Sequence, residues 1–349
     1  MNSRKYKRVL KMTSAVFAAL VLAAPTAWGQ GLRVGQAQGL RLGQDQGLRL
    51  GQAHGLRPEQ RGAEARPAAS TPAPDSKEPS ASHQSNRTAI TLSPHLTELV
   101  YAAGAGDHLL GVAEGSNYPP TAAALPKVGS GVTPNIERIA VLHPSVILAW
   151  GFRNGANQSD PALQKLNIPI RYQAPQTLDD VVRDIGELGS LFGTQQTAGD
   201  TVRQLQAILS STRARYEHAA PVSVFVLVSR EPLYTLGNNS FVMDALHACG
   251  AESAFTSLTA PAPIVSREQL LIARPQMVLF AAKAKDAEQQ AITRTLASVG
   301  LRLKPDQIIG QDPDILFRPT DRLIRSLPAL CEQIDQVRHQ LPQAASESP

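Results

Sequence analysis

Trp150 ends the apolar run Val146–Ala149 and is followed by Gly151, Arg153, Asn154 and Gly155, the composition of a loop. An indole at a loop mouth offers a flat plate to an apolar ligand; a core position is the alternative reading. Tyr118, in Ser116-Asn-Tyr118-Pro-Pro120, sits in a rigid turn with no helix to bury it. Tyr234 follows Arg230-Glu-Pro232, and His95 follows a strand at the turn Ser93-Pro94-His95. Asp314, Phe317 and Arg318 occupy an irregular stretch after the strand expected at Gln307–Ile309. In open α/β folds, ligand contacts gather in the loops beyond the carboxyl ends of strands, and most of these residues fall there. His95 can face a ligand or simply be solvated.

Aromatic plates with a few polar groups describe binding, and no catalytic residue is expected. The chain has no Gly-x-Ser-x-Gly elbow, Walker loop, His-Glu-x-x-His, or Gly-x-Gly-x-x-Gly after a strand. Its eight histidines are scattered without the i, i+4 pairing of a zinc site, so no resident metal is expected. His143 reads as a helix-ending residue before Pro144.

Two glutamates stand in an internal echo. Asn135-Ile-Glu137-Arg-Ile139 leads to Pro144 and an apolar strand; Ser266-Arg-Glu268-Gln-Leu270 leads to Pro275 and another. Asn135 and Ser266 suit N-caps, and a Glu in the first turn meets the positive end of the helix. Taken singly, each Glu is a good first-turn residue. Taken together, their equivalent placement suits a pair of carboxylates engaging a symmetric partner with two basic pockets.

The elements that position these residues alternate short apolar strands with helices, the mark of α/β architecture. Strands are expected at Ala89–Leu92, Val146–Trp150, Ile168–Tyr172, Val222–Val228, Leu233–Leu236, Met277–Ala281 and Gln307–Ile309. A helical region runs from Leu178 to about Tyr216, broken near Gly193; its second half, some 22 residues, would span about 33 Å. The expected fold is two Rossmann-like α/β lobes joined by a single long backbone helix. The domains are an N-terminal lobe at 88–193, a linking helix at 194–218 and a C-terminal lobe at 219–341, with 342–349 a disordered tail.

The chain has 349 residues and a net charge of +5, but its basicity is local. Residues 1–87 hold 13 Lys and Arg against 5 Asp and Glu, leaving 21 basic and 24 acidic residues for the remainder. A nucleic-acid footprint is therefore not expected. Arg4, Lys5, Lys7, Arg8 and Lys11 precede an apolar run from Met12 to Ala24 and small residues at Ala27 and Gly29. Residues 1–29 read as a signal peptide cleaved before Gln30, without lipidation, so the mature chain is expected in the periplasm. Residues 30–87, with a GLRLGQ-type octad and a Pro- and Ala-rich stretch, read as a disordered spacer; an electrostatic tether is the alternative. Cys249 and Cys331 in an exported chain favour one structural disulfide over a thiol nucleophile or a metal site.

The string Ala89-Ile-Thr-Leu-Ser93-Pro94-His95-Leu-Thr97-Glu98-Leu99, with Tyr101-Ala-Ala-Gly104, resembles the opening of class III periplasmic substrate-binding proteins. Asn117-Tyr118-Pro119-Pro120, Asn135-Ile-Glu137-Arg-Ile139, Ala149-Trp150 and Val265-Ser266-Arg267-Glu268-Gln269-Leu270 resemble the cobalamin-binding branch of that family. Cys249-Gly250 and Leu330-Cys331 resemble its disulfide positions. The resemblance covers about Thr88 to Leu341 and implies the helical-backbone metal-receptor type of fold, with little hinge closure. It implies cobalamin, a cobalt corrinoid, or a related corrinoid, carried between the lobes as transported cargo rather than held as a permanent cofactor. Pro94, His95, Tyr118, Trp150, Tyr234, Asp314 and Arg318 would line that cleft. Glu137 and Glu268 would dock on arginines of an inner-membrane ABC permease dimer. Two departures stand out: tryptophans that line the cleft in cobalamin-binding members fall here near Ser130–Gly131 and at Ala262. Haem-binding members often have a Tyr where Lys127–Ser130 stands. A haem or ferric-siderophore receptor of the same fold is the alternative function, and an exported adaptor working through its repeat tail is the alternative class.

Overall fold

In a computed structural model, residues 87–151, 161–238, 240–258 and 260–341 are described. The leader, spacer and tail segments, and the loop residues Arg153, Asn154 and Gly155, lie outside them.

Two parallel sheets follow one another along the chain. The first contains β1 (Ala89–Thr91), β2 (Leu109–Gly111), β3 (Val146–Trp150) and β4 (Ile170–Gln173), in the order β2-β1-β3-β4. The hairpin strands β6 (Ser229–Arg230) and β7 (Leu233–Tyr234) follow directly on β5 (Val222–Leu227). With β8 (Ala251–Ser253), β9 (Met277–Ala281) and β10 (Ile308–Gln311), β5 forms the second sheet, ordered β10-β9-β5-β8. The long strands read as nearly continuous apolar runs because parallel sheets are covered on both faces. Alternate residues separate accordingly: Val224 and Val226 join the core shared by both lobes, while Phe225 and Leu227 join a second one confined to the C-terminal lobe.

Helices supply the cover. In chain order they are α1 (Pro94–Ala102), α2 (Pro120–Ala123), α3 (Ile136–Leu142), α4 (Pro161–Gln164), α5 (Leu178–Phe192) and α6 (Gln195–Tyr216). The second lobe adds α7 (Phe241–Ala248), α8 (Arg267–Ala273), α9 (Lys285–Ser298), α10 (Pro313–Leu316) and α11 (Asp321–Gln340). A capping box between Thr177 and Asp180 starts α5, and Gly193 ends it at φ 78°, a left-handed turn that a β-carbon would strain. The break expected near Gly193 and the 22-residue helix after it are both present.

Chain path joins the lobes through α6, and packing reinforces that joint. Thr194 and Thr201 donate hydroxyl hydrogen bonds of 2.6 and 2.9 Å to the carbonyls of Ala103 and Ala102 at the end of α1. At the other end, Arg338 of α11 donates to the carbonyls of Ala220, Cys249 and Gly250. Leu205, Leu209 and Tyr216 of α6 enter the same buried cluster as Leu327, Cys331 and Ile334 of α11. Cys249, which caps α7, is bonded to Cys331 in the middle of α11, both fully buried.

Three strands were invisible to pattern reading. β2 and β8 have three residues each and β6 has two, too few to display a period. The strand expected over Leu233–Leu236 is only Leu233–Tyr234 long, because Thr235 and Gly237 donate instead to the carbonyls of Pro263 and Pro261.

Candidate ligand-binding site

Each sheet has a switch point where connections leave in opposite directions, between β1 and β3 in one lobe and between β5 and β9 in the other. Pro94 and His95 follow β1, and Trp150 ends β3, so the first switch point carries all three. The second carries the β6–β7 hairpin with Tyr234, and Lys283 just beyond β9.

Pro94 opens α1, where its missing N–H costs nothing. His95 is buried, only 4% exposed, rather than solvated. Its Nδ1 lies 2.7 Å from Ser93 Oγ, its Nε2 is buried without a hydrogen-bond partner, and its ring meets Trp150 edge-on at 5.1 Å. Burial, aided by the positive charge of Arg318, pulls the imidazole down to about 3, so His95 is neutral at any physiological pH. Trp150 is half-buried, with His95 bracing it from one side.

The loop after β2 is held by a buried hydroxyl chain in which Thr97 lies 2.6 Å from Thr91 and 2.9 Å from Ser116. Lys127 donates to the carbonyls of Ser116 and Ala122. This fixes Asn117 and Tyr118. Tyr118 is 43% exposed, and the Arg322 guanidinium lies 4.2 Å from its ring centroid.

Arg318 and Asp314 meet the N-terminal lobe directly. Arg318 Nη1 donates to Glu98 Oε1 at 2.7 Å and Asn117 Oδ1 at 2.8 Å. Its Nη2 donates to Asp314 Oδ1 at 2.7 Å and to the Gly115 carbonyl at 3.2 Å. Gly115 turns that carbonyl inward at φ 80°. Asp314 also accepts from Asn117 at 3.0 Å and from Lys283 at 2.7 Å. Although burial works the other way, Lys283, Asn117 and Arg318 hold the Asp314 carboxyl below its usual range. Glu98 is almost fully buried, and burial pushes its carboxyl up against the pull of Arg318 and Arg322. The network spans both lobes and occupies most of Arg318's donors.

The contacts therefore draw Pro94, His95 and Trp150 together, and Tyr118, Asp314 and Arg318 into a neighbouring cluster. Tyr234 is carried by the separate hairpin, where it pairs with Ser229 and bridges to Ile264. Sequence reading missed Glu98, Asn117, Lys283 and Arg322. The i, i+4 steps of Asp314, Arg318 and Arg322 were available as a signal; Glu98 was hidden as an ordinary helical residue. Ser130, one of the two departures noted above, uses its hydroxyl to accept from the amides of Val132 and Thr133 in a tight turn. Cavities of about 220 and 130 Å³ lie elsewhere, beside β4 and beside α9, and both are smaller than usual small-molecule sites. Among the described residues, no group of three or more His, Cys, Asp or Glu is placed to hold a metal ion.

Glu137 and Glu268 lie on α3 and α8, both exposed, with Asn135 and Ser266 capping as expected.

A family model described as periplasmic binding protein matches residues 90–298. The chain belongs to that family. This periplasmic binding protein is 30% identical over 256 residues to the vitamin B12-binding protein of Yersinia pestis (strain Pestoides F), covering 73% of this chain and 88% of the relative. It is similar to the solved periplasmic vitamin B12 binding protein of Vibrio cholerae, with TM-score 0.62 and 29% identity, over 72% of this chain and 98% of that one. The periplasmic heme binding protein of Vibrio cholerae matches with TM-score 0.61 at 20% identity, covering 72% and 99%, a likeness of fold alone. This periplasmic binding protein thus has two α/β lobes of the kind these structures share. Among its described residues, no helix is long and apolar enough to cross a membrane.

Proposed function

We propose that this periplasmic binding protein captures cobalamin, or a related corrinoid, between its lobes and delivers it to an ABC importer. The observation that carries this reading is the 29–30% identity, over more than 70% of the chain, to relatives named for vitamin B12. The geometry supports it. Trp150 and Tyr118 offer partly exposed aromatic faces at the carboxyl ends of the strands, and the hairpin of Tyr234 stands at the second switch point. A corrinoid carries its own cobalt, so recognition requires aromatic and hydrogen-bonding surface rather than a protein metal cage. Asp314 and Arg318 act by setting the spacing of the lobes as well as by bordering the ligand. Residues 1–29 serve as the export leader and 30–87 as a spacer in this reading.

Glu137 and Glu268 present the receptor to a permease dimer. Replacing both, E137R with E268R, leaves cyanocobalamin affinity unchanged and abolishes uptake in cells that depend on this receptor. Undiminished uptake removes their docking role.

A further inference from the structure

The helices that carry Glu137 and Glu268 are copies of one another down to their caps. In α3, Ile139 is fully buried and His143 ends the helix in the left-handed region at φ 47°. In α8, Leu270 is fully buried and Arg274 ends the helix at φ 44°. A proline follows each, then a strand with the same pattern of four buried residues and one half-buried. Ile139 and Leu270 thus pin the two helices in the same roll, and the same positions face outward in both.

Those outward positions are apolar. Val141 is 76% exposed and Ile272 is 82% exposed, and they are equivalent in the two copies. Each stands four residues after its glutamate, one helical turn along the same face. Six large apolar side chains are exposed among the described residues. Five of them, Val132, Val141, Ile264, Leu271 and Ile272, lie on these helices or in the segments leading into them. Single exposed apolar residues are ordinary; their concentration on two duplicated helices marks an interaction surface.

We propose that Val141 and Ile272 are paired apolar knobs that seat in pockets of a two-fold symmetric partner, each pocket beside the basic group that receives Glu137 or Glu268. The occupant is the permease dimer, and the inference rests on the docking role proposed above. One polypeptide that repeats the same acid-plus-aliphatic unit twice fits a partner that repeats the same basic-plus-apolar pocket twice. A second copy of this chain fits less well, because it would bring glutamates toward glutamates at both places. In this division the glutamates supply steering that salt weakens, and the knobs supply apolar burial that salt does not weaken.

The test places photoreactive p-benzoylphenylalanine at position 141 and, in a second variant, at position 272 of the full chain, in cells that express the importer. Two-fold symmetry predicts that both positions crosslink to the same segment of one polytopic inner-membrane polypeptide that copurifies with a nucleotide-binding subunit. V141S with I272S keeps cyanocobalamin affinity and lowers uptake about tenfold or more, corresponding to at least 1.4 kcal/mol of lost contact. Crosslinks only to a second copy of the chain, crosslinks to unrelated segments, or unaltered uptake overturns the proposal. If E137R with E268R still transports, the docking reading falls as well. If that variant fails while positions 141 and 272 yield no permease crosslink, only the knobs fall.

Discussion

His95 and Asp184 show how burial decides what a side chain can do. Both are nearly inaccessible to water, and each keeps one polar atom without a partner, Nε2 in His95 and Oδ2 in Asp184. For Asp184, burial pushes the carboxyl up to about 6, with the Glu187 charge adding and Arg183 opposing. Between pH 3.8 and about 6 the folded carboxyl keeps a proton that the unfolded chain has released, so this group lowers stability as pH rises through that window. His95 works in the opposite direction. Its folded value of about 3 lies below 6.5, so its contribution is present above pH 6.5 and is lost as pH falls. D184N should therefore unfold at higher urea than the parent at pH 7.5, by roughly 1–2 kcal/mol, with the difference vanishing near pH 4. Equal gains at both values would show that Asp184 is already ionised without penalty. Of the two alternatives for His95, the solvated one fails for a simple reason: the loop after a strand is often exposed, but α1 begins immediately and carries this side chain inward against Trp150.

At the scale of elements, the contact between the lobes is a network rather than one helix. Arg318 stands between α10 and α11 and reaches Glu98 of α1, Asn117 and the Gly115 carbonyl, while Asp314 holds its other nitrogen. Removing one partner from a buried ion pair leaves the other charged and unsatisfied, a change that costs roughly 3–5 kcal/mol. R318A is expected to lower the urea midpoint accordingly and to weaken cyanocobalamin binding by releasing the lobe spacing. E98Q should cost less, since a raised carboxyl loses less on neutralisation. An R318A protein with unchanged midpoint and affinity would separate this network from both stability and binding. Much of the element pattern was legible. Gly193 announced the break before α6, and the stripe of Leu205, Leu209 and Tyr216 announced the face it buries. Glu98 and Lys283 were not legible, because a charged residue in a helix or after a strand gives no sign of what the other lobe will bring to it.

Seen whole, the molecule is two copies of one design. Both sheets place their switch points at the carboxyl ends of apolar parallel strands, and both carry a capped seven-residue helix with an outward glutamate. The echo of Asn135–Pro144 in Ser266–Pro275 was readable from spacing alone, and the structure extends it to the left-handed caps and the exposed Val141 and Ile272. Shared packing through α5, α6 and α11, with the Cys249–Cys331 bond and Arg338 beside it, leaves few places for a hinge.

Titration of the chain purified from the periplasm with cyanocobalamin, by calorimetry and by Trp150 emission together, tests the central claim most directly. The account predicts saturable one-to-one heat at micromolar affinity or tighter, accompanied by quenching of Trp150. Absence of heat with cyanocobalamin, together with saturable binding of haem or a ferric siderophore, would contradict it.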